Sequence, residues 1–92
     1  MTRTARQAID AYADAHEIDL LVADGFDDAI VGICERMNEV FVVYDRSKVL
    51  AVLRRDMTYH EAQEYFDFNV AGAWVGDTTP GFLLRWKEIE EG

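Results

Sequence analysis

The chain has 92 residues, half of them hydrophobic, with nine basic side chains against eighteen acidic ones and a formal charge of −9. That length holds one core and one domain, and the apolar content is too high for a disordered acidic tail. Affinity for a nucleic-acid backbone comes mainly from Lys and Arg on phosphates, so the charge argues against direct nucleic-acid binding.

No apolar run reaches the ~18 residues of a membrane span, and no basic-then-apolar leader is visible. Cys34 is the only cysteine, so no internal disulfide can form and a reducing, cytoplasmic location is expected.

Residues 3–16 predict an amphipathic helix capped by Thr2 or Thr4. Ala5, Ile9, Tyr12, Ala13 and His16 form its apolar stripe, and Arg6, Asp10, Asp14 and Glu17 its polar one. Residues 20–23 are a short apolar run stopped by the Asp24-Gly25 turn signal. Residues 29–37 and 40–44 are rich in Ile, Val and Phe and predict a β-hairpin, with Asn38 taking the tight turn. Residues 46–55 predict a short helix, capped by Asp45 or Ser47.

Thr58-Tyr59-His60-Glu61 fits the capping box. Behind it Ala62, Tyr65, Phe66, Asn69, Val70 and Ala73 recur at helical spacing, and Phe68, Ala71 and Trp74 widen the apolar face. A helix apolar on most sides is expected to be the central, buried one. Gly72 and Gly76 offer places for it to stop, residues 77–81 form a loop around Pro80, and residues 82–86 predict a last strand. The charged residues 87–92 are expected to fray.

The fold expected from this order is α+β. It is a single domain over residues 1–92, with a three-stranded antiparallel sheet (hairpin plus C-terminal strand) packed by about three helices. Both hairpin faces read as apolar, with Ile30, Cys34, Val40 and Val42 on one and Val31, Ile33, Phe41 and Val43 on the other. Three helices cover these only partly, so a homodimer is expected.

The charge is uneven. Between positions 9 and 45 there are ten acidic residues and one basic one, Arg36, whereas positions 46–57 hold four basic residues and only Asp56. An acidic half is thus interrupted by a basic island, a pattern that governs partner choice and association rate rather than fold.

Several segments together carry a resemblance. They are Asp24-Gly25-Phe26-Asp27-Asp28-Ala29, Val43-Tyr44-Asp45 with Lys48, Arg55-Asp56-Met57-Thr58, Glu64-Tyr65-Phe66-Asp67-Phe68-Asn69-Val70, Gly72-Ala73-Trp74-Val75-Gly76 and Thr79-Pro80. Over roughly residues 24–82 the chain resembles a family of small acidic proteins encoded by tailed bacteriophages. The resemblance implies a phage or prophage origin and expression in the cytoplasm of a bacterial host. It lends no catalytic residue and no cofactor.

Candidate chemistry is sparse. Asp24, Asp27 and Asp28 crowd one turn, yet lack the spacing and distal Glu of a calcium loop. His60, Glu64 and Asp67 share a helix face without an HExxH-like pattern, and read better as a solvated face. Cys34, in an apolar strand, shows neither a base nor an electropositive setting, and reads as a small buried hydrophobe. Asn69, among aromatics, reads as a buried amide tied to the loop at Thr78-Thr79 or facing a ligand. Trp74 and Trp86 read as core or dimer residues.

No enzyme, cofactor or metal centre is therefore expected. The first expectation is a non-enzymatic binding protein that inhibits a host defence or nucleic-acid-handling protein, as a mimic of the nucleic-acid backbone. Its partner face would be Asp10, Asp14, Glu17, Asp24, Asp27, Asp28, Glu35 and Glu39, extended by Asp19. The alternative is a small-molecule binder that sequesters a nucleotide-like signal through Arg54, Arg55, Asn69, Thr78 and Thr79.

Overall fold

The computed structural model describes residues 3–72, 76 and 78–91. Helix α1, Ala5–His16, begins at Thr4, whose hydroxyl accepts from the Gln7 amide at 3.1 Å while the Gln7 side chain accepts from the Thr4 amide at 2.9 Å. It ends at Glu17 in the left-handed conformation, φ 56°. Ile9 is its one buried residue. A turn of 3₁₀ helix, Asp27–Ala29, leads into the hairpin β1, Ile30–Arg36, and β2, Glu39–Asp45.

The hairpin forms as the sequence predicts, with two differences. The positive φ, 53°, falls on Met37 rather than Asn38, and the Met37 side chain projects wholly into solvent. The ladder also slips between Ile30 and Gly32, a β-bulge. The bulge puts Ile30 and Ile33 on one face with Val42 and Tyr44, and leaves Gly32 and Cys34 with Phe41 and Val43 on the other. The expected grouping of Cys34 with Val42 is corrected accordingly, and Cys34 is exposed, not buried.

Chain order in the second half dictates the sheet. Helix α2, Arg46–Leu53, and helix α3, Tyr59–Tyr65, follow β2 before the third strand, β3, Gly81–Leu83. A crossover through helices returns the chain in its original direction, so β3 pairs with β2 in parallel. The three-stranded sheet of an α+β domain is present, but it is mixed, β1-β2-β3, rather than all antiparallel. The strand is shorter than residues 82–86. The tail is helix α4, Trp86–Glu91. It is docked on α2, where the Glu88 carboxylate accepts from the Ser47 hydroxyl at 3.1 Å, and Arg85, one residue before α4, is tied to Asp45.

The Thr58–Glu61 capping box opens α3 as expected. The long buried helix does not follow. After Tyr65 the chain widens into a π-helical turn, Phe66–Val70, closed by the Ala71 amide donating to the Phe66 carbonyl at 2.7 Å. Only Ala62 and Phe66 are buried, Val70 is half-buried, and Tyr65, Phe68 and Asn69 are exposed. Glu61, Glu64 and Asp67 are exposed on the outer side, so only a narrow seam of this segment is buried. The turn is closed by a tight backbone approach, since a Cβ on Gly72 would lie 2.7 Å from the Asp67 carbonyl oxygen. The expectations for Ala73 and Trp74 fall outside the described residues.

The core is Ile9, Ala29, Val42, Tyr44, Val49, Leu50, Ala62 and Phe66. All three of the first helices therefore pack on the Val42–Tyr44 face of the sheet. Phe82 joins it, its ring edge-on to Phe66 at 4.9 Å and tilted to Tyr44 at 5.9 Å. Trp86 is 73 % exposed, not in the core. The Tyr44 hydroxyl accepts from the Ala23 amide at 2.7 Å and fixes the irregular segment between α1 and the hairpin, while burial raises the phenol's pKa. Tyr44→Phe leaves that amide unpaired and should lower unfolding free energy by about 1–3 kcal/mol in a urea titration. A stability equal to wild type would show that water replaces the hydroxyl.

No helix among the described residues is long and apolar enough to cross a membrane.

Candidate functional site

The acidic residues do not scatter. Asp10 and Asp14 lie one turn apart along the polar side of α1, and Glu17 follows at its end. The Arg6 guanidinium, one turn before Asp10, gathers three carboxylates: Asp27 at 3.3 Å, Asp10 at 3.7 Å and Asp24 at 3.9 Å. The Arg6 Nε–H is shielded from solvent without a hydrogen-bond partner, because 3.7 Å to Asp10 is too long. Partial desolvation alone would lower the guanidinium pKa, but the Asp27 hydrogen bond and the charges of Asp27, Asp10 and Asp24 hold it above its ordinary value.

One cation against three anions leaves the cluster negative. The stripe on α1 is thereby continued onto the Asp24–Asp28 segment, where Asp28 is exposed beside Asp27. Two of the expected face residues sit elsewhere. Glu39 is paired with Arg36 at 2.7 Å across the hairpin turn. Glu35 lies on β1, beside a shallow groove of about 450 Å³ against Ala5, Ala8 and Tyr12 of α1.

At the end of β2, next to the Tyr44–Ile30 pair, Asp45 is buried, 4 % exposed. It caps α2, accepting from the Ser47 and Lys48 amides at 3.1 and 3.4 Å, and accepts from Arg85 Nε and Nη2 at 3.0 and 2.9 Å. Burial would push its carboxyl up, but the Arg85 and Lys48 hydrogen bonds, the Arg85 charge and the Ser47 amide outweigh it and hold the pKa below the ordinary 3.8. Asp45 thus joins β2, α2 and the entry to α4.

That joint builds a groove of about 540 Å³ along α2. Arg46, Ser47, Leu50, Ala51 and Arg54 form its floor, Tyr59 and Gln63 of α3 one wall, and Leu84 with Glu88 the other. Arg46 lies over the Phe66 ring at 5.1 Å and Arg54 over the Tyr59 ring at 5.3 Å. Among the described residues neither arginine has a carboxylate within ion-pair distance.

No family model, curated protein or solved structure matches this chain. The chemistry of these surfaces stands on geometry alone.

The residues of the small-molecule alternative do not meet in one site, although Asn69 and Thr79 do share a cleft. Arg54 lies in the α2 groove, and Asn69 and Thr79 share a separate cleft of about 320 Å³ with Asp24, Phe26, Tyr65 and Pro80. Arg55 is exposed and Thr78 half-buried, and neither lines these two cavities. Asn69 is exposed, so its amide is solvated rather than a buried group needing a partner. The second cleft brings together Asp24 and Pro80, 56 positions apart in sequence.

His60, Glu64 and Asp67 are all exposed, and no three His, Cys, Asp or Glu side chains among the described residues are placed to hold a metal ion. His16 stacks on Tyr12 with ring centroids 4.0 Å apart, and its Nδ1–H donates to the Tyr12 carbonyl at 3.0 Å. Arg46 and the Arg85–Asp45 pair escaped sequence reasoning. The basic island around positions 46–57 was the one signal for the first, and nothing local signals the second.

Proposed function

We propose that the chain is a non-enzymatic binding protein of phage type. It inhibits a host defence or nucleic-acid-handling protein by presenting its acidic face to a basic surface of that partner. What supports this reading is the assembly around Arg6. Carboxylates from α1 and from the 24–28 segment, separate in sequence, are drawn into one negative cluster that runs on into Asp14 and Glu17. A compact negative field of this kind steers a positive partner and speeds encounter, and salt weakens it.

Asp14 and Asp28 belong to this face and take no part in the Arg6 pairs. The double variant Asp14→Lys, Asp28→Lys therefore reverses charge while leaving the cluster's internal pairing intact. Capture of the partner from bacterial lysate should fall at least about tenfold, since like-charge juxtaposition at an interface costs several kcal/mol. Wild-type capture should fall steeply between low and high salt. Capture that ignores both charge reversal and salt contradicts the proposal.

The homodimer belongs to the same proposal. Trp86 and Ile89 of α4 are exposed, and neither belongs to the Arg6 cluster, so two copies can pair through them without using its carboxylates.

A further inference from the structure

We infer that the groove along α2 is a nucleotide-binding site, with the phosphate held by Arg54. The groove's two ends differ in make-up: Arg54 with Tyr59 at one, and Arg46, Ser47 and Glu88 together at the other. At one end the Arg54 guanidinium is set by the Tyr59 ring at 5.3 Å, with no carboxylate competing for its N–H groups among the described residues. A planar fork with free donors, already oriented on an aromatic face, matches a phosphate bidentately. At the other end Arg46, set over the Phe66 ring, stands with Glu88, whose carboxylate accepts one hydrogen bond from Ser47 and keeps further lone pairs open. Arg54, which caps the end of α2, lies seven positions after Ser47, roughly 10 Å along the helix axis. The carboxylate therefore sits beyond the reach of a phosphate on Arg54 and accepts instead from hydroxyl or amino groups. Between the ends, Leu50 and Leu84 offer an apolar bed for a flat ring.

An anion, a flat apolar middle and a hydrogen-bond-donating far end in that order describe a nucleotide. The cavity, about 540 Å³, lies in the range of small-molecule sites. This inference does not rest on the acidic face, because none of the Arg6 cluster lines the groove.

The test uses isothermal titration and thermal shift of the full chain. The probes are nucleoside 5′-monophosphates and 5′-diphosphates, the matching unphosphorylated nucleosides, and inorganic pyrophosphate. At least one nucleotide should raise the melting temperature. Arg54→Ala should weaken its binding about ten- to a hundredfold, as loss of a bidentate charge-assisted pair does. Arg54→Lys should recover only part of it, and Glu88→Gln should change which base or sugar is preferred. Arg55→Ala, outside the groove, should bind as wild type does. No shift with any nucleotide overturns the inference. So does pyrophosphate binding as tightly as every nucleotide, which would leave an anion site with no nucleoside recognition, and so does nucleotide binding that survives Arg54→Ala unchanged. Because the charge-reversal variant Asp14→Lys, Asp28→Lys keeps this groove, failure here and failure of the acidic face are separately visible.

Discussion

Phe66→Ala should lower the unfolding free energy by about 3–5 kcal/mol, the usual range for truncating a buried phenylalanine. For a domain of this length that is a large part of the ~5–14 kcal/mol available. Phe66 is 2 % exposed, and it is the residue at which α3, β3 and α2 meet. Its ring takes Phe82 edge-on and carries the Arg46 guanidinium on its face. The substitution therefore leaves a cavity under the sheet and releases Arg46 from the groove. Urea unfolding with an unchanged m-value should register the loss. A loss below about 1 kcal/mol would mean that the π-helical turn collapses onto the space. Phe66→Leu, which keeps most of the volume, should cost less than half as much.

Asp45→Ala should cost about 2–4 kcal/mol, because it removes a helix cap worth about 1 kcal/mol and the charge-assisted pair to Arg85 together. Asp45→Asn keeps the cap and should cost roughly half. The pH dependence follows from the direction of the shift. The folded carboxyl titrates below its ordinary 3.8, so the unfolded chain takes up the proton first as pH falls. The Asp45 contribution is therefore complete above the unfolded value and is lost as pH drops through the folded one. Between about pH 5 and pH 2 the wild type should lose stability more steeply than Asp45→Asn. Parallel acid limbs would place the ion pair with Arg85 in solvent rather than at the joint.

The difference between these two positions also measures what the sequence discloses. Elements set by neighbours along the chain were legible. The Thr58–Glu61 capping box, the Thr4 start of α1 and the Asp45 start of α2 are all formed, because each needs only residues two or three apart. The hairpin was legible for the same reason. What failed depended on distant partners. The direction of β3 follows from the crossover through α2 and α3, not from the composition of residues 81–83. The tail helix is docked through Arg85 and Glu88 on Asp45 and Ser47, some forty positions away. The bulge at Gly32 flipped Cys34 off the core face, since one extra residue inverts the alternation.

The candidate site divides in the same way. The acidic stripe on α1 is helical periodicity and was readable, whereas its link to Asp24 and Asp27 runs through Arg6, a tertiary contact. The basic island was visible as charge, but the groove it lines needs α3 and α4 to be placed. Arg55 and Asn69, its neighbours in composition, point elsewhere.

The central claim is that the acidic face, and not the groove, holds the host partner. Capture from bacterial lysate by wild type, by Asp14→Lys, Asp28→Lys and by Arg46→Ala, Arg54→Ala, compared side by side at low salt, tests it most directly. The account predicts that the first pair abolishes capture of the partner and the second leaves it intact. Capture lost with the arginine pair and kept with the aspartate pair would contradict it.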